Sequence, residues 1–130
     1  SFIQNPALGH ITTFGGHPVC CAAGLACMNE IIDKKCFLDV PGKSNLFIEN
    51  LHHPAIKEIR GEGLLLAVEL EDSEKMHQVI KNGCEIGFIS DWFLFCETAF
   101  RISPPLNITE EEIVKACKLI MKALDKTFAQ

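Results

Sequence analysis

The segment IKEIRGEGLLLAVEL, residues 56–70, constrains the fold of this chain more than any other stretch. Two runs rich in apolar residues flank Gly61-Glu62-Gly63, whose glycines permit the positive φ angles of a tight turn. The second run, LLLAVEL, is apolar enough to lie in the centre of a sheet. The segment therefore predicts two strands joined at these glycines, the second of them central.

Three helices are predicted before the last part of the chain. Pro18 stands at a first helical position and opens a helix over about 18–35 that is apolar on nearly every face, so we expect it to be buried on several sides. A shorter amphipathic helix is expected over about 42–51. Ser73 is expected to cap a third helix that Gly83 closes.

The last part of the chain predicts two more strands and a final helix. CEIGFI, residues 84–89, and TAFRI, residues 98–102, have strand composition. Thr109 and Glu112 have the spacing of a capping box at a helix start. The helix that follows carries one apolar stripe: Ile113, Ala116, Cys117, Ile120, Met121 and Leu124. Helices and antiparallel strands in this order indicate an α+β fold, an antiparallel sheet covered by helices.

Composition excludes several function classes. A chain of 130 residues with 48% hydrophobic content can form one compact core. A net charge of -5, with Lys34-Lys35 as the longest basic run, argues against nucleic-acid binding. No apolar run reaches the roughly 18 residues of a membrane span, so we expect a soluble protein without a membrane partner. Seven cysteines, an odd number without C-x-x-C, indicate reduced thiols and a cytoplasmic location.

The chain ends suggest that the sequence is a piece of a longer protein. It begins with Ser1 rather than methionine, and Phe2, Ile3 and Leu8 offer apolar surface with no preceding element to cover it. We therefore expect a fragment or a cleaved product.

The stretch HITTFGGHPVCCAAGLA, residues 10–26, has the features of an anion site. Threonine hydroxyls, close-packing glycines and the amide groups at a helix start favour a bound anion, because the helix dipole and N–H groups point at it. The alternatives are a tight turn with a helix cap, or a zinc site. Adjacent cysteines project in different directions from a helix, so we expect no metal on the candidate ligands His10, His17, Cys20 and Cys21.

Three motifs in order, HITTFGGHPVCCAAGLA, IKEIRGEGLLLAVEL and FRISPPLNITEEEI, resemble the C-terminal portion of class III pyridoxal-phosphate (PLP) aminotransferases. This group includes acetylornithine, ornithine and 4-aminobutyrate aminotransferases. The resemblance covers nearly the whole chain and implies fold type I of the PLP-dependent transferases. It implies residues 1–17 as the tail of the PLP-binding large domain, 18–35 as a connecting helix and 36–130 as the C-terminal small domain.

The resemblance also implies roles for single residues. Thr13, with the adjacent Thr12, is expected to bind the PLP phosphate held by the neighbouring subunit of a homodimer. The family usually has Gly-Ser before this threonine and Asn before the proline, so a side-chain role for His17 is in doubt. Arg101 matches the arginine that takes the carboxylate of the amino or oxo acid, a task that suits a planar guanidinium. Arg60 also matches a family motif and is expected to be structural, fixing the strand turn; the alternative is that it contacts the cleft.

Two further expectations follow from the resemblance. Trp92, in the unusual loop ISDWFLF, either covers the mouth of the active site or packs inside the domain. The lysine that binds PLP covalently belongs to the large domain, and no lysine of this chain has a matching context, so no catalytic residue is expected here. The parent protein would transfer an amino group from an amino acid or ω-amine to a 2-oxo acid. The alternative is a non-catalytic binding or dimerisation domain derived from the family.

Overall fold

The computed structural model describes residues 13–129 and divides the chain into two compact units between Lys35 and Cys36. Thr12 and His10 lie outside the described residues. The elements are α1 (Pro18–Lys34), a short 3-10 helix (Cys36–Asp39), α2 (Val40–Asn50), β1 (Glu58–Glu62), β2 (Leu65–Glu69), α3 (Ser73–Ile86), β3 (Trp92–Phe93), β4 (Cys96–Ile102) and α4 (Glu110–Phe128). The second unit has the predicted α+β architecture.

The four strands form one antiparallel sheet in the order β1-β2-β4-β3. The structure confirms that β2 is an interior strand. The hairpin turn lies later in the chain than the predicted Gly61-Glu62-Gly63. Strand pairing continues to Glu62 opposite Leu65, so Gly63, at φ +56°, is the one residue of these three that lies in the turn. Gly61 lies inside β1, where a Cβ atom would stand 2.1 Å from the carbonyl oxygen of Leu65.

The core lies between one face of the sheet and the helices α2, α3 and α4. Alternating residues of β2 and β4 supply the sheet side, since successive side chains of a strand point to opposite faces. The predicted apolar stripe of α4 packs against them, with Ala116 and Met121 only partly buried. The largest fully buried side chains include Phe47, Leu66, Val68, Met76, Phe100, Ile113 and Leu124.

The capping box at the start of α4 is confirmed. The Thr109 hydroxyl accepts a hydrogen bond from the Glu112 backbone N–H at 3.2 Å, and the Glu112 carboxylate accepts one from the Thr109 N–H at 2.9 Å. These two bonds satisfy N–H groups that have no partner inside the helix.

The predicted strand over residues 84–89 is wrong. Helix α3 continues through Gly83 to Ile86, and Gly87, at φ +111°, forms its left-handed C-cap. Gly83 does not close the helix, because the ring of Phe88 folds back over it: a Cβ atom at Gly83 would lie 2.5 Å from that ring. The absence of a side chain there serves close packing rather than helix termination.

The N-terminal cap of α3 also differs from the prediction. Asp72, not Ser73, is the N-cap residue, and its carboxylate accepts a hydrogen bond from the backbone N–H of Lys75 at 2.9 Å. Helix α2 begins at Val40, two residues before the expected start, with a proline in its first turn.

Helices α3 and α4 are joined by a buried polar pair that the sequence did not indicate. The Asn82 side-chain amide donates to the Thr127 hydroxyl at 2.9 Å, and this hydroxyl donates to the Ala123 carbonyl oxygen at 2.8 Å. Both residues are nearly inaccessible to solvent. The Gln78 side-chain amide donates to Asn82 Oδ1 at 3.2 Å, so both the nitrogen and the oxygen of the Asn82 side-chain amide are hydrogen-bonded.

Helix α1 has the predicted start and ends one residue early, at Lys34, followed by Lys35 in a left-handed conformation. Its expected burial is not found within the described chain, where its apolar side chains, such as Val19, Leu25 and Met28, are more than half exposed. The physical reason is that its own unit contains no second element to cover it among the described residues.

Candidate functional site

The face of the sheet opposite the helices carries two arginines in one row. Directly opposed residues of paired strands point to the same face, and the register aligns Arg60 with Ala67 and Ala67 with Arg101. Phe100 and Ile102, which flank Arg101, are buried in the core. The Arg101 side chain therefore leaves the sheet on the open face, and the row holds two guanidinium groups on either side of a small residue.

Arg101 is fixed by the two residues that precede β3. Its backbone N–H donates to the Asp91 carbonyl oxygen at 2.8 Å, and its own carbonyl oxygen accepts from the Ser90 hydroxyl at 2.6 Å. Asp91 Oδ2 lies 3.6 Å from Arg101 Nη2, while Asp91 Oδ1 accepts from the Trp92 N–H at 2.9 Å. The Arg101 side chain is 41% exposed, and its guanidinium faces a single oxygen of the Asp91 carboxylate.

Arg60, in contrast, bonds to several side chains of the sheet, although its side chain is as exposed as that of Arg101. It contacts the carboxylates of Glu58, at 3.1 Å, and Glu69, and lies 3.4 Å from Cys96 Sγ. Hydrogen bonds from Lys57 and Arg60 hold the pKa of the Glu69 carboxyl below its usual value. These contacts tie β1 to β2 and fit the expected structural role, although they lie along the strands rather than at the turn.

A cleft of about 440 Å³ adjoins Arg101. Its lining is mostly apolar and includes Phe100 together with Phe47 of α2 and Ile120 of α4. Asp91 and Arg101 are the two charged residues among those that line it. Because these residues belong to the core, the cleft lies on the helix side of the sheet, whereas the Arg101 side chain leaves the sheet on the opposite face.

Trp92 packs against the core of the domain, which agrees with the second of the two alternatives for it. It is half-buried, packs against the core, and its ring centroid lies 6.2 Å from that of His77. The neighbouring turn residues Leu94 and Phe95 are exposed.

The N-terminal unit presents a second set of candidate groups. Residues 13–16 form a turn in which the His17 N–H donates to the Phe14 carbonyl oxygen at 3.1 Å, with Gly16 at φ +75°. Helix α1 starts at Pro18 with no side-chain cap and no acidic residue in its first turn. The first N–H groups of a helix have no partner inside the helix, and here no side chain caps them. Thr13, which carries a hydroxyl, stands in the turn before them.

This donor set has the chemistry of a phosphate site. Backbone N–H groups at a helix start and a threonine hydroxyl all donate hydrogen bonds, and the helix dipole favours negative charge there. The groups thus fit a cofactor phosphate. Among residues 13–129, no three His, Cys, Asp or Glu side chains cluster in a way that could hold a metal ion.

The sequence matches the family model described as aminotransferase class-III over residues 3–124. The chain belongs to this family. A curated relative, ornithine aminotransferase 2 from Staphylococcus aureus (strain Mu50), is 38% identical over 122 residues, which cover 85% of this chain and 28% of that protein. The class III chain therefore spans less than a third of the length of this relative.

Solved structures of aminotransferases share the fold. Acetylornithine aminotransferase from Elizabethkingia anophelis superposes with a TM-score of 0.76 at 31% identity, covering 90% of this chain and 32% of that one. Ornithine aminotransferase from Toxoplasma gondii, whose structure is described with partial occupancy of PLP at the active site, gives a TM-score of 0.73 at 32% identity, covering 92% and 29%.

Sequence reasoning on this class III chain missed the partners of Arg101. Ser90 and Asp91 precede an aromatic-rich run, and nothing in their spacing from Arg101 revealed that β3 would return beside β4.

No helix within residues 13–129 is long and apolar enough to cross a membrane.

Proposed function

We propose that the parent protein is a PLP-dependent aminotransferase that acts as a cytoplasmic homodimer. It transfers an amino group from an amino acid or ω-amine to a 2-oxo acid. Membership of the class III family, with Arg101 on an open sheet face, is the observation that carries this proposal.

Arg101 binds the carboxylate of the amino acid or the 2-oxo acid. A guanidinium pairs with a carboxylate through two parallel hydrogen bonds and stays charged at every working pH. Arg60 is a poor candidate for this task, because two carboxylates already occupy it. Arg101 faces one carboxylate oxygen and keeps N–H donors for a ligand.

Thr13, together with Thr12, binds the PLP phosphate of the neighbouring subunit. The uncapped start of α1 supports this assignment, because it adds N–H donors beside the Thr13 turn. PLP, when bound, supplies the electron sink for amino-group transfer. No residue of this chain reacts with it covalently, so the catalytic lysine lies in another part of the parent protein.

The chain then comprises three functional segments. Residues 1–17 complete the PLP-binding large domain, 18–35 form the connecting helix and 36–130 form the small domain. The division into two compact units between Lys35 and Cys36 supports the boundary between the connecting helix and the small domain.

Steady-state kinetics of the full-length protein test the role of Arg101. Arg101→Ala and Arg101→Lys are expected to raise KM for the 2-oxo acid at least tenfold, because a charge-assisted hydrogen bond contributes about 1.5–3 kcal/mol. An amine donor without a carboxylate is the internal control, and its KM should stay near that of the parent. Equal effects on both substrates would assign Arg101 a structural role.

Cofactor retention tests the role of Thr13. Thr13→Ala should lose PLP faster than the parent protein on dialysis, as measured by absorbance, while Thr13→Ser, which keeps the hydroxyl, should retain it. Equal retention by all three proteins would refute the phosphate assignment. A full-length protein that neither binds PLP nor transaminates would point instead to a non-catalytic binding or dimerisation domain.

A further inference from the structure

The backbone of Arg101 faces the β3 side of the sheet. The Thr98 carbonyl oxygen accepts a hydrogen bond from the Leu70 N–H, on the side of β2, and the backbone groups of successive strand residues face alternate sides. Three residues later, Arg101 presents both its N–H and its carbonyl oxygen to the opposite side. The N–H donates to the Asp91 carbonyl oxygen at 2.8 Å. The backbone of Arg101 therefore depends on the segment that leads into β3.

A serine side chain completes this pairing. Two directly opposed residues of a regular antiparallel pair exchange two backbone hydrogen bonds. At Arg101, the Ser90 hydroxyl donates to the carbonyl oxygen at 2.6 Å, in the position that the second backbone N–H takes in a regular pair. The same hydroxyl lies 3.4 Å from the Asp91 carbonyl oxygen. Because a hydroxyl has one proton to donate, the shorter contact identifies Arg101 as its acceptor.

The strand β4 has little further support at this point. Its pairing with β3 starts at Trp92, and β4 ends at Ile102, directly after Arg101. The loop that follows contains Pro104 and Pro105, which have no backbone N–H to donate. The bond from the serine hydroxyl is therefore a main restraint on the peptide group that follows the Arg101 Cα atom.

The position of this peptide group affects where the guanidinium lies. A guanidinium binds a carboxylate through two parallel hydrogen bonds, which require the two planar groups to be aligned. The Arg101 side chain is exposed, so packing alone does not fix its direction, and small displacements of a binding group reduce rates steeply. The long side chain can follow a backbone shift in part, and we therefore expect a moderate effect when the restraint is lost.

We propose that Ser90 is a positioning residue for substrate binding: its hydroxyl holds the carbonyl oxygen of Arg101 and thereby directs the guanidinium toward the carboxylate of the 2-oxo acid. Ser90 acts through the backbone of Arg101 and not through contact with the substrate. This inference rests on the proposed role of Arg101 and deepens it.

Steady-state kinetics of the full-length protein test this role, with pyruvate and 2-oxoglutarate as the 2-oxo acids. Ser90→Ala should lower kcat/KM for the 2-oxo acid about three- to tenfold, through a higher KM and with kcat unchanged. Ser90→Thr keeps the hydroxyl and should stay close to the parent protein. Ser103→Ala is the matched control, because Ser103 is an exposed serine on the other side of Arg101 in the chain; it should leave both constants unchanged.

The Arg101→Ala background separates positioning from stability. This variant keeps the backbone carbonyl oxygen at position 101, so any stability that the Ser90 bond adds is still present in it. The guanidinium is gone, so adding Ser90→Ala should leave kcat/KM for the 2-oxo acid unchanged. A further loss in that background, a fall in kcat, or equal losses in Ser90→Ala and Ser90→Thr would overturn the proposal. Equal losses in Ser90→Ala and Ser103→Ala would do the same.

The two proposals fail in distinguishable ways. If Arg101→Ala leaves KM for the 2-oxo acids unchanged, the proposed role of Arg101 fails and Ser90 has no group to position. If Arg101→Ala raises those KM values while Ser90→Ala leaves them unaffected, Arg101 keeps its role and only the role of Ser90 is refuted.

Discussion

Replacing Thr127 by valine should destabilise the small unit through a single lost hydroxyl. Thr127 stands at the centre of the buried chain of bonds that links α3 to α4. Valine has nearly the same shape and the same β-branching, so packing and helix propensity change little. The substitution leaves the Asn82 amide buried without its acceptor.

The expected cost follows from that unpaired donor. A buried polar group deprived of its partner costs about 1–3 kcal/mol. For a unit of this size, each kcal/mol corresponds to a shift in Tm of about 4–8 °C. Asn82→Ala removes the unpaired donor itself, so the double variant should lose less stability than the sum of the two single variants.

Urea unfolding followed by far-ultraviolet circular dichroism measures these differences. The double-mutant cycle should give a coupling of about 0.5–3 kcal/mol between Asn82 and Thr127. Thr127→Ser keeps the hydroxyl but loses the methyl group, so it separates the contribution of the hydrogen bonds from that of methyl packing. A loss below about 0.5 kcal/mol in Thr127→Val, or strictly additive effects in the cycle, would refute the reasoning.

Two further predictions concern the helix cap and the thiols. Thr109→Ala should cost about 1 kcal/mol in urea unfolding. The hydrogen bond from the Thr109 N–H lowers the pKa of the Glu112 carboxyl in the folded state. The stability that this bond adds is therefore fully present above the usual pKa of a glutamate carboxyl, and it is lost as the pH falls through the lowered pKa of the folded state. Glu112→Gln should make the free energy of unfolding less dependent on pH in that acidic range. Burial raises the pKa of the Cys117 thiol to about 11, whereas a hydrogen bond from Thr98 and the contact with Arg60 lower the pKa of the Cys96 thiol. Iodoacetamide near pH 8 should therefore label Cys96 well before Cys117, as followed by mass spectrometry.

Local signals in the sequence predicted the parts of the fold that depend on neighbouring residues. The capping box of Thr109 and Glu112, the apolar stripe of α4 and the hairpin of β1 and β2 each rest on patterns a few residues long. Such patterns act through bonds and packing within one element or one turn. The structure reproduces all three, with the hairpin turn displaced toward Gly63.

The errors lie where distant contacts decide the local conformation. Gly83 has the sequence character of a helix end, yet the Phe88 ring covers it and the helix continues to Ile86. The Asn82–Thr127 pair joins residues 45 positions apart, which no short pattern can reveal.

The candidate site shows the same division. Arg101 was identifiable from its motif, whereas its partners Ser90 and Asp91 required the return of β3 alongside β4. The groups around Thr13 were suggested by the glycines and Pro18 that follow it.

Trp92 gives this chain a built-in optical probe of its candidate substrate site. The sequence contains one tryptophan and no tyrosine, so the emission of the chain comes from a single indole. The backbone N–H of Trp92 donates to the Asp91 carboxylate, and the Trp92 indole ring lies beside His77. A ligand that engages Arg101 and moves Asp91 would change the surroundings of this one fluorophore, and its binding could be followed without a label.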